Sequence, residues 1–261
     1  MNTLQTHCAL RLGDNLAAVH FLRGLAKKYP DVHFRHAAQL CYVRQLVEVV
    51  CDLPNLQLAD TEHHKGYSWN LWKNADGFWE THPNRNDYAG FMLEYFDVAA
   101  KRMGLESPFA TADDLLFDYP ALRKENLPLA CKPFDFLIVN SPPQSNQWTK
   151  GDPAALNTLV QSLAQRHRCI ITHPTGTAAD EFCTQRWNFS VTNIGQLSQL
   201  CRFVVMVSTG PSWPTMSVFN KDSVELRLIF IDHETLGLTK NTEQCQTVGE
   251  ATRVLKVRGL L

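Results

Sequence analysis

The stretch from Cys8 to Phe34, CALRLGDNLAAVHFLRGLAKKYPDVHF, decides the fold class. An apolar run, Cys8 to Leu12, ends at Gly13-Asp14 and reads as a strand running into a turn. From Asn15 the apolar residues Leu16, Val19, Phe21, Leu22 and Leu25 recur at helical spacing and stop at Tyr29-Pro30. Val32 to Phe34 begins a second strand. Strand, turn, helix, strand is the unit from which parallel sheets with helices on their faces are built.

Working outward, the same alternation continues. Ala37 to Val50 reads as a helix and Leu56 to Leu58 as a short third strand. Residues 60 to 87 break the rhythm with Trp69, Trp72, Phe78 and Trp79 among polar residues, and a helix is expected from about Tyr88 to Met103. Leu105 to Lys132, rich in Pro and acidic residues, reads as a connection between two halves. The alternation then restarts at Phe134 to Asn140, FDFLIVN, a strand apolar on both faces. Expected after it are a helix over Pro153 to Arg166 and strands at Cys169 to Thr172, Phe189 to Thr192 and Phe203 to Val207. Further helices are expected at Ile194 to Cys201 and from Ser212 to Phe219, with a last strand at Leu226 to Ile231 and a closing helix at Val248 to Val257. The expected architecture is α/β with two Rossmann-like domains, 1–128 and 129–261, whose parallel sheets face a cleft. Ligands in such sheets bind beyond the carboxyl ends of the strands.

Composition narrows the function classes. The chain of 261 residues is 44% hydrophobic with a formal net charge of -1, so it offers no bulk attraction to nucleic acid or anionic lipid. No stretch approaches the roughly 18 apolar residues of a membrane span, and the start lacks the pattern of a signal peptide. Its eight cysteines include no CxxC pair and several sit in apolar runs. They read as reduced thiols, mostly buried, of a cytoplasmic protein, peripheral membrane attachment remaining open. Glu62-His63-His64 with His82 fits no compact zinc signature, so no metal ligand is assigned. The surrounding aromatic residues suit either sugar stacking by an acceptor loop or a small core over a sheet edge.

The polar residues after each strand carry the chemistry. Gly13 allows a sharp turn, and Asp14 is either a helix cap or a general base at a strand end, with Asn15 beside it. Without GxGxxG, no dinucleotide cofactor is indicated. Ser208-Thr209-Gly210-Pro211-Ser212 follows the Phe203 to Val207 strand and offers hydroxyls, plus amides if a helix starts there. His173-Pro174-Thr175 follows another strand, where the imidazole could bind phosphate or protonate a leaving group.

The run Arg11-Leu12-Gly13-Asp14-Asn15-Leu16, with Phe21-Leu22-Arg23-Gly24-Leu25 and Tyr29-Pro30-Asp31-Val32, resembles the amino-terminal signature of bacterial ADP-heptose:lipopolysaccharide heptosyltransferases (glycosyltransferase family 9). Asn193 to Trp213 resembles the donor-binding region of that family, with Ser208 where its turn has Asp and Trp213 where a His follows. The resemblance implies a GT-B fold and metal-independent, inverting transfer from a nucleotide-sugar donor to a hydroxyl acceptor. It implies Asp14 as catalytic base and the loop Ser141 to Lys150 as a holder of donor phosphates, with Lys150 and Ser145 as candidate contacts. His173-Pro174 with Ser208-Thr209 is also similar to paired motifs of bacterial sialyltransferases and Kdo transferases, which use CMP-sugars. A catalytically silent binding protein on the same fold is the third reading.

Overall fold

The computed structural model describes residues 3–60, 69–70, 87–124, 127–143, 148–232 and 238–261. Ser145 and the expected aromatic acceptor loop, apart from the backbone of Trp69 and Asn70, lie outside the described residues. The chain divides into two compact units, Met1–Ala121 and Leu122–Leu261. The division falls before residue 128 because Leu122 belongs to the second unit's packing. Gln199 Nε2 donates to Leu122 O at 2.7 Å, and Leu122 Cδ1 lies where a Cβ on Gly195 would stand.

In the first unit, β1 (Thr3–His7), β2 (His33–Ala38), β3 (Leu56–Asp60) and β4 (Trp69–Asn70) form a parallel sheet in the order β3-β2-β1-β4. Among the described residues the helices accompanying it are α1 (Leu12–Lys28), α2 (Leu40–Val50) and α3 (Tyr88–Arg102). Strand β1 thus precedes the apolar run that suggested it. Its sequence TLQTH is half-buried and polar-rich, while Cys8 to Leu10 forms the loop into α1. Helix α1 buries Leu16, Val19, Phe21, Leu22 and Leu25, and Phe21 stacks on Phe96 of α3 with ring centroids 4.6 Å apart. Asn55 Nδ2 donates to Ala26 O, Tyr29 O and Val32 O, satisfying carbonyls where α1 ends.

Part of the segment expected as a connector is packed into the core. Leu116, Phe117 and Tyr119 are buried, and Pro108 and Phe109 lie so close to Gly24 that a Cβ there would sit 2.7 Å from Pro108 Cγ. Pro108 packs against Gly24 of α1, so this part of the segment is not a free linker.

In the second unit, β5 (Phe134–Val139), β6 (Cys169–Ile171), β7 (Cys201–Val207), β8 (Leu226–Phe230) and β9 (Thr242–Cys245) form an all-parallel sheet in the order β6-β5-β7-β8-β9. Its helices are α4 (Pro153–Ala164), α5 (Val191–Gln199) and α6 (Val248–Val257). Phe136, Ile138, Phe203, Val205, Leu228 and Phe230 join Leu159, Leu163, Ala251 and Leu255 in one core, while the alternate residues Leu137, Val139, Val204 and Met206 are buried too. Burial on both faces explains the unbroken apolar run FLIV. No strand forms at Phe189 to Thr192. Ser190 Oγ accepts the Asn193 amide and Asn193 Oδ1 accepts the Ser190 amide, a reciprocal cap that starts α5 at Val191.

All eight cysteines are free thiols, five of them buried. Among the described residues no helix is long and apolar enough to cross a membrane.

Candidate functional site

Strand order sets where ligands are expected. In the first unit the chain winds β1, β2, β3 to one side and places β4 on the other, so the order reverses between β1 and β4. In the second it reverses between β5 and β7. Loops leaving the strands on either side of a reversal splay apart and open a crevice at the carboxyl ends.

Asp14 lies in the first turn of α1, just past the loop that leaves β1, and is not the cap residue. Helix α1 starts at Leu12 with Arg11 as N-cap, and Asp14, three residues on, reaches back so that its Oδ2 accepts the Arg11 amide at 3.1 Å. This is the acidic half of a capping box. Gly13 lies in the first helical turn and is not among the glycines of positive φ, so the sharp turn assigned to it is absent. Burial pushes the Asp14 carboxyl above its ordinary range, against the Arg11 amide, its own amide and the Arg11 charge, which all favour ionisation. Tyr88, first residue of α3, is pushed upward by burial and by Asp14, so it stays a neutral phenol. Sequence reasoning passed over Tyr88; its place at the start of the helix after β4, across the reversal, was the available signal.

Asn15 points inward. It is fully buried, its Nδ2 donates to Leu10 O and Arg11 O, and its Oδ1 meets His36 Nε2 at 3.4 Å. The assignment of Asn15 as a substrate contact is therefore corrected: its polar atoms are used by the fold.

In the second unit Asn140, directly after β5, organises the strand ends. Its Oδ1 accepts the amides of Thr172 (3.1 Å) and His173 (2.8 Å), and its Nδ2 donates to His173 O at 2.8 Å. Ser141 Oγ lies 3.0 Å from Thr172 Oγ1. The backbone of His173 is thus clamped to the loop that opens on the crevice, while its half-buried imidazole makes no hydrogen bond to a described residue. Sequence reasoning missed Asn140; a polar residue closing an apolar strand was the signal. Thr175 is committed elsewhere. Its amide and hydroxyl donate to Asp180 Oδ1, as the Gly176 amide does to Oδ2, and these bonds hold the Asp180 carboxyl low against burial.

The Ser208 to Ser212 turn leaves β7 at the reversal, as expected, but no α-helix follows. Gly210–Thr215 is a six-residue 3-10 turn containing Pro211 and Pro214, whose rings remove two amide donors. The turn is not the helix end that the sequence suggested as an anion site, because so short a turn supplies little dipole. Ser212 Oγ accepts the Thr209 amide and donates to Thr209 O at 2.7 Å, and Thr209 Oγ1 donates to Val207 O. Ser208, Thr209 and Ser212 are buried, whereas Gly210 and Pro211 are half-exposed at the tip.

Lys150 stands apart from this crevice. Its Nζ donates to Gln246 Oε1 at 2.7 Å, beyond β9, while Thr149 donates through its amide and hydroxyl to Asp232, beyond β8. Its ammonium is exposed at that edge of the sheet. The structure therefore gathers Asn140, Ser141, His173 and the Ser208 to Ser212 turn at the ends of β5, β6 and β7, and leaves Lys150 outside them.

Two parallel, Rossmann-like sheets in one chain, each with an order reversal, define an α/β protein of GT-B-like fold class. Solved structures carry this to the whole chain. Escherichia coli heptosyltransferase WaaC with ADP is similar at 12% identity and a TM-score of 0.53, over 99% of this chain and 98% of that one. The same enzyme with ADP-2-deoxy-2-fluoro heptose is similar at 12% identity and a TM-score of 0.52, over 99% of this chain and 100% of that one. No protein-family model matches the sequence, and no curated protein does. At this identity the likeness is one of fold.

Proposed function

We propose that the protein is a nucleotide-sugar-dependent glycosyltransferase. One observation carries the proposal: the chain shares its fold, end to end, with structures holding ADP and an ADP-sugar analogue. The half-buried Asp14 carboxylate in the first turn of α1, after the β1 loop, is the group this reading assigns as base.

In this reading Asp14 takes the proton of an acceptor hydroxyl as that oxygen bonds to the anomeric carbon. The bond from that carbon to the diphosphate breaks, and its electrons leave with the nucleoside diphosphate. A single displacement inverts the anomeric centre. A carboxylate whose proton affinity is raised by burial is a better base than an exposed one. The donor is held by the strand-end loops of the second unit, with His173 and the tip residues Gly210 and Pro211 nearest the ligand. The bonded Ser208, Thr209, Ser212 and Asn140 fix the shape of that rim. The donor class is an ADP-heptose-like nucleoside diphosphate sugar, and the acceptor is a saccharide or another hydroxyl compound. No metal takes part in this scheme.

One observation favours a second reading, a protein that binds nucleotide without transferring sugar. The hydroxyls of Thr209 and Ser212 are spent within their own turn, and the six-residue 3-10 turn Gly210–Thr215 that follows β7 is not an α-helix. A thermal-shift series with ADP, UDP, GDP and CMP tests the proposal, since ligand at 100 times its dissociation constant stabilises by about 2.7 kcal/mol. A shift with one nucleoside diphosphate supports it. A shift with CMP alone turns it to a CMP-sugar transferase, and no shift with any of the four overturns it.

A further inference from the structure

Beneath the Asp14 turn lies a run of buried hydrogen bonds whose direction is fixed by elimination. Thr6 and His36 are register partners on β1 and β2, and Thr6 Oγ1 lies 2.8 Å from His36 Nδ1. His36 Nε2 lies 3.4 Å from Asn15 Oδ1. Asn15 Nδ2 faces two carbonyls, Leu10 O at 3.3 Å and Arg11 O at 3.0 Å. Only an amide nitrogen can serve two carbonyls, so the atom facing His36 is the Asn15 oxygen, an acceptor. His36 must then carry its proton on Nε2, and its bare Nδ1 must receive the hydroxyl proton of Thr6. Thr6, His36 and Asn15 are each buried, so no water substitutes for a missing partner. Burial, with His7 nearby, keeps His36 neutral, its value pushed down to about 3.

The run ends on the residue that holds Asp14. Arg11 O receives both the Asn15 amide (3.1 Å) and Asn15 Nδ2, and the Arg11 amide donates to Asp14 Oδ2. We propose that Thr6, His36 and Asn15 are positioning residues that lock the Arg11 turn and through it the orientation of the Asp14 carboxylate. This rests on the reading of Asp14 as the base. A mobile carboxylate of the same chemistry would be a poorer base, because a misplacement of about 1 Å can cost 100-fold in rate.

The test uses the full chain with Thr6→Val, which keeps the shape and deletes the hydroxyl proton, and Thr6→Ser, which restores it. Thr6→Val is expected to lower kcat by about 10- to 100-fold with donor KM unchanged. It also moves the acid limb of the kcat/KM profile to lower pH, because a loosened turn hydrates Asp14, which Arg11 and Tyr88 otherwise face. Thr6→Ser is expected to match the unsubstituted protein. Two readouts need no activity. Nitrogen NMR of His36 should show the Nε2–H tautomer, and amide exchange at Arg11 should quicken in Thr6→Val. The Nδ1–H tautomer, or an Arg11 amide unaffected in Thr6→Val, overturns the proposal. So does a Thr6→Val protein that keeps its kcat and pH profile, or a Thr6→Ser protein that loses them equally. If Asp14→Asn transfers sugar normally while tautomer and exchange behave as stated, the base reading fails and the lock stands.

Discussion

Replacing Asn140 by Ala strips the second unit's strand ends of their organiser. The side chain is 8% exposed and makes three short bonds to backbone groups, the amides of Thr172 and His173 and the His173 carbonyl. Thr172 is itself 5% exposed, so its amide gains little water when the acceptor goes. A buried polar group left unpaired costs about 1–3 kcal/mol. With one amide fully buried and the His173 groups partly reached by solvent, we expect a loss of roughly 2–4 kcal/mol. For a chain of this size each kcal/mol lowers Tm by about 2–4 °C, so the midpoint should fall by roughly 5–15 °C. Amide exchange localises the effect: Thr172 and His173 should lose protection in Asn140→Ala while the amides of β8 keep theirs. Nucleotide should also bind more weakly, since the His173 loop is no longer clamped beside the β7 turn. A variant within about 0.5 kcal/mol of the parent, the spread of ordinary surface substitutions, would refute the reasoning.

Three further outcomes are expected. Asp14→Asn should raise Tm at neutral pH: a raised carboxyl value means that ionisation costs the fold stability as pH rises through it, and the gain should vanish near about pH 3, where both side chains are neutral. Acidification should weaken the fold through His20 and His36, held down to about 4 and about 3 by burial. Their neutral forms give full stability above the unfolded value, and urea titrations should show a loss of about 2 kcal/mol for each by pH 5, with His20→Phe removing one share. Gly195→Ala should cost about 1–3 kcal/mol in urea unfolding, an overpacking penalty. Its new Cβ would stand 2.4 Å from Leu122 Cδ1 and 2.8 Å from Pro214 O, and backbone yields less readily than a side chain.

How far the molecule was legible follows from what kind of signal each part leaves. The helical spacing of Leu16 to Leu25 and the run FLIV announced α1 and β5, because burial on a face or on both faces writes itself into residue type. Strand β1 was misplaced because TLQTH is half-exposed and its ladder bonds ask nothing of side chains, whereas the apolar Cys8 to Leu10 is loop. Strand β9, TEQC at the sheet edge, left no apolar pattern for the same reason. The sequence places Asp14 after the first strand, but not its position inside the first turn of α1. The roles of Asn140, Asn15 and His36 depend on partners distant in sequence, 33 residues away for Asn140 and His173. Thr175 and Ser212 stand after strands and, for Ser212, within the stretch that resembles a donor-binding region, which makes them candidate ligand donors in the sequence. Their hydroxyls are used by Asp180 and by Thr209 O, which only the folded geometry reveals.

The most direct test is nucleotide release from ADP-, UDP-, GDP- and CMP-sugars by the parent protein and by Asp14→Asn in the presence of saccharide acceptors. A glycosyltransferase that uses Asp14 as its base will release one nucleoside diphosphate from its sugar. Asp14→Asn, with nucleotide affinity unchanged, will do so at least about 100-fold more slowly, the usual worth of a general base. Equal rates in the two proteins, or no release from any of the four donors, would contradict it.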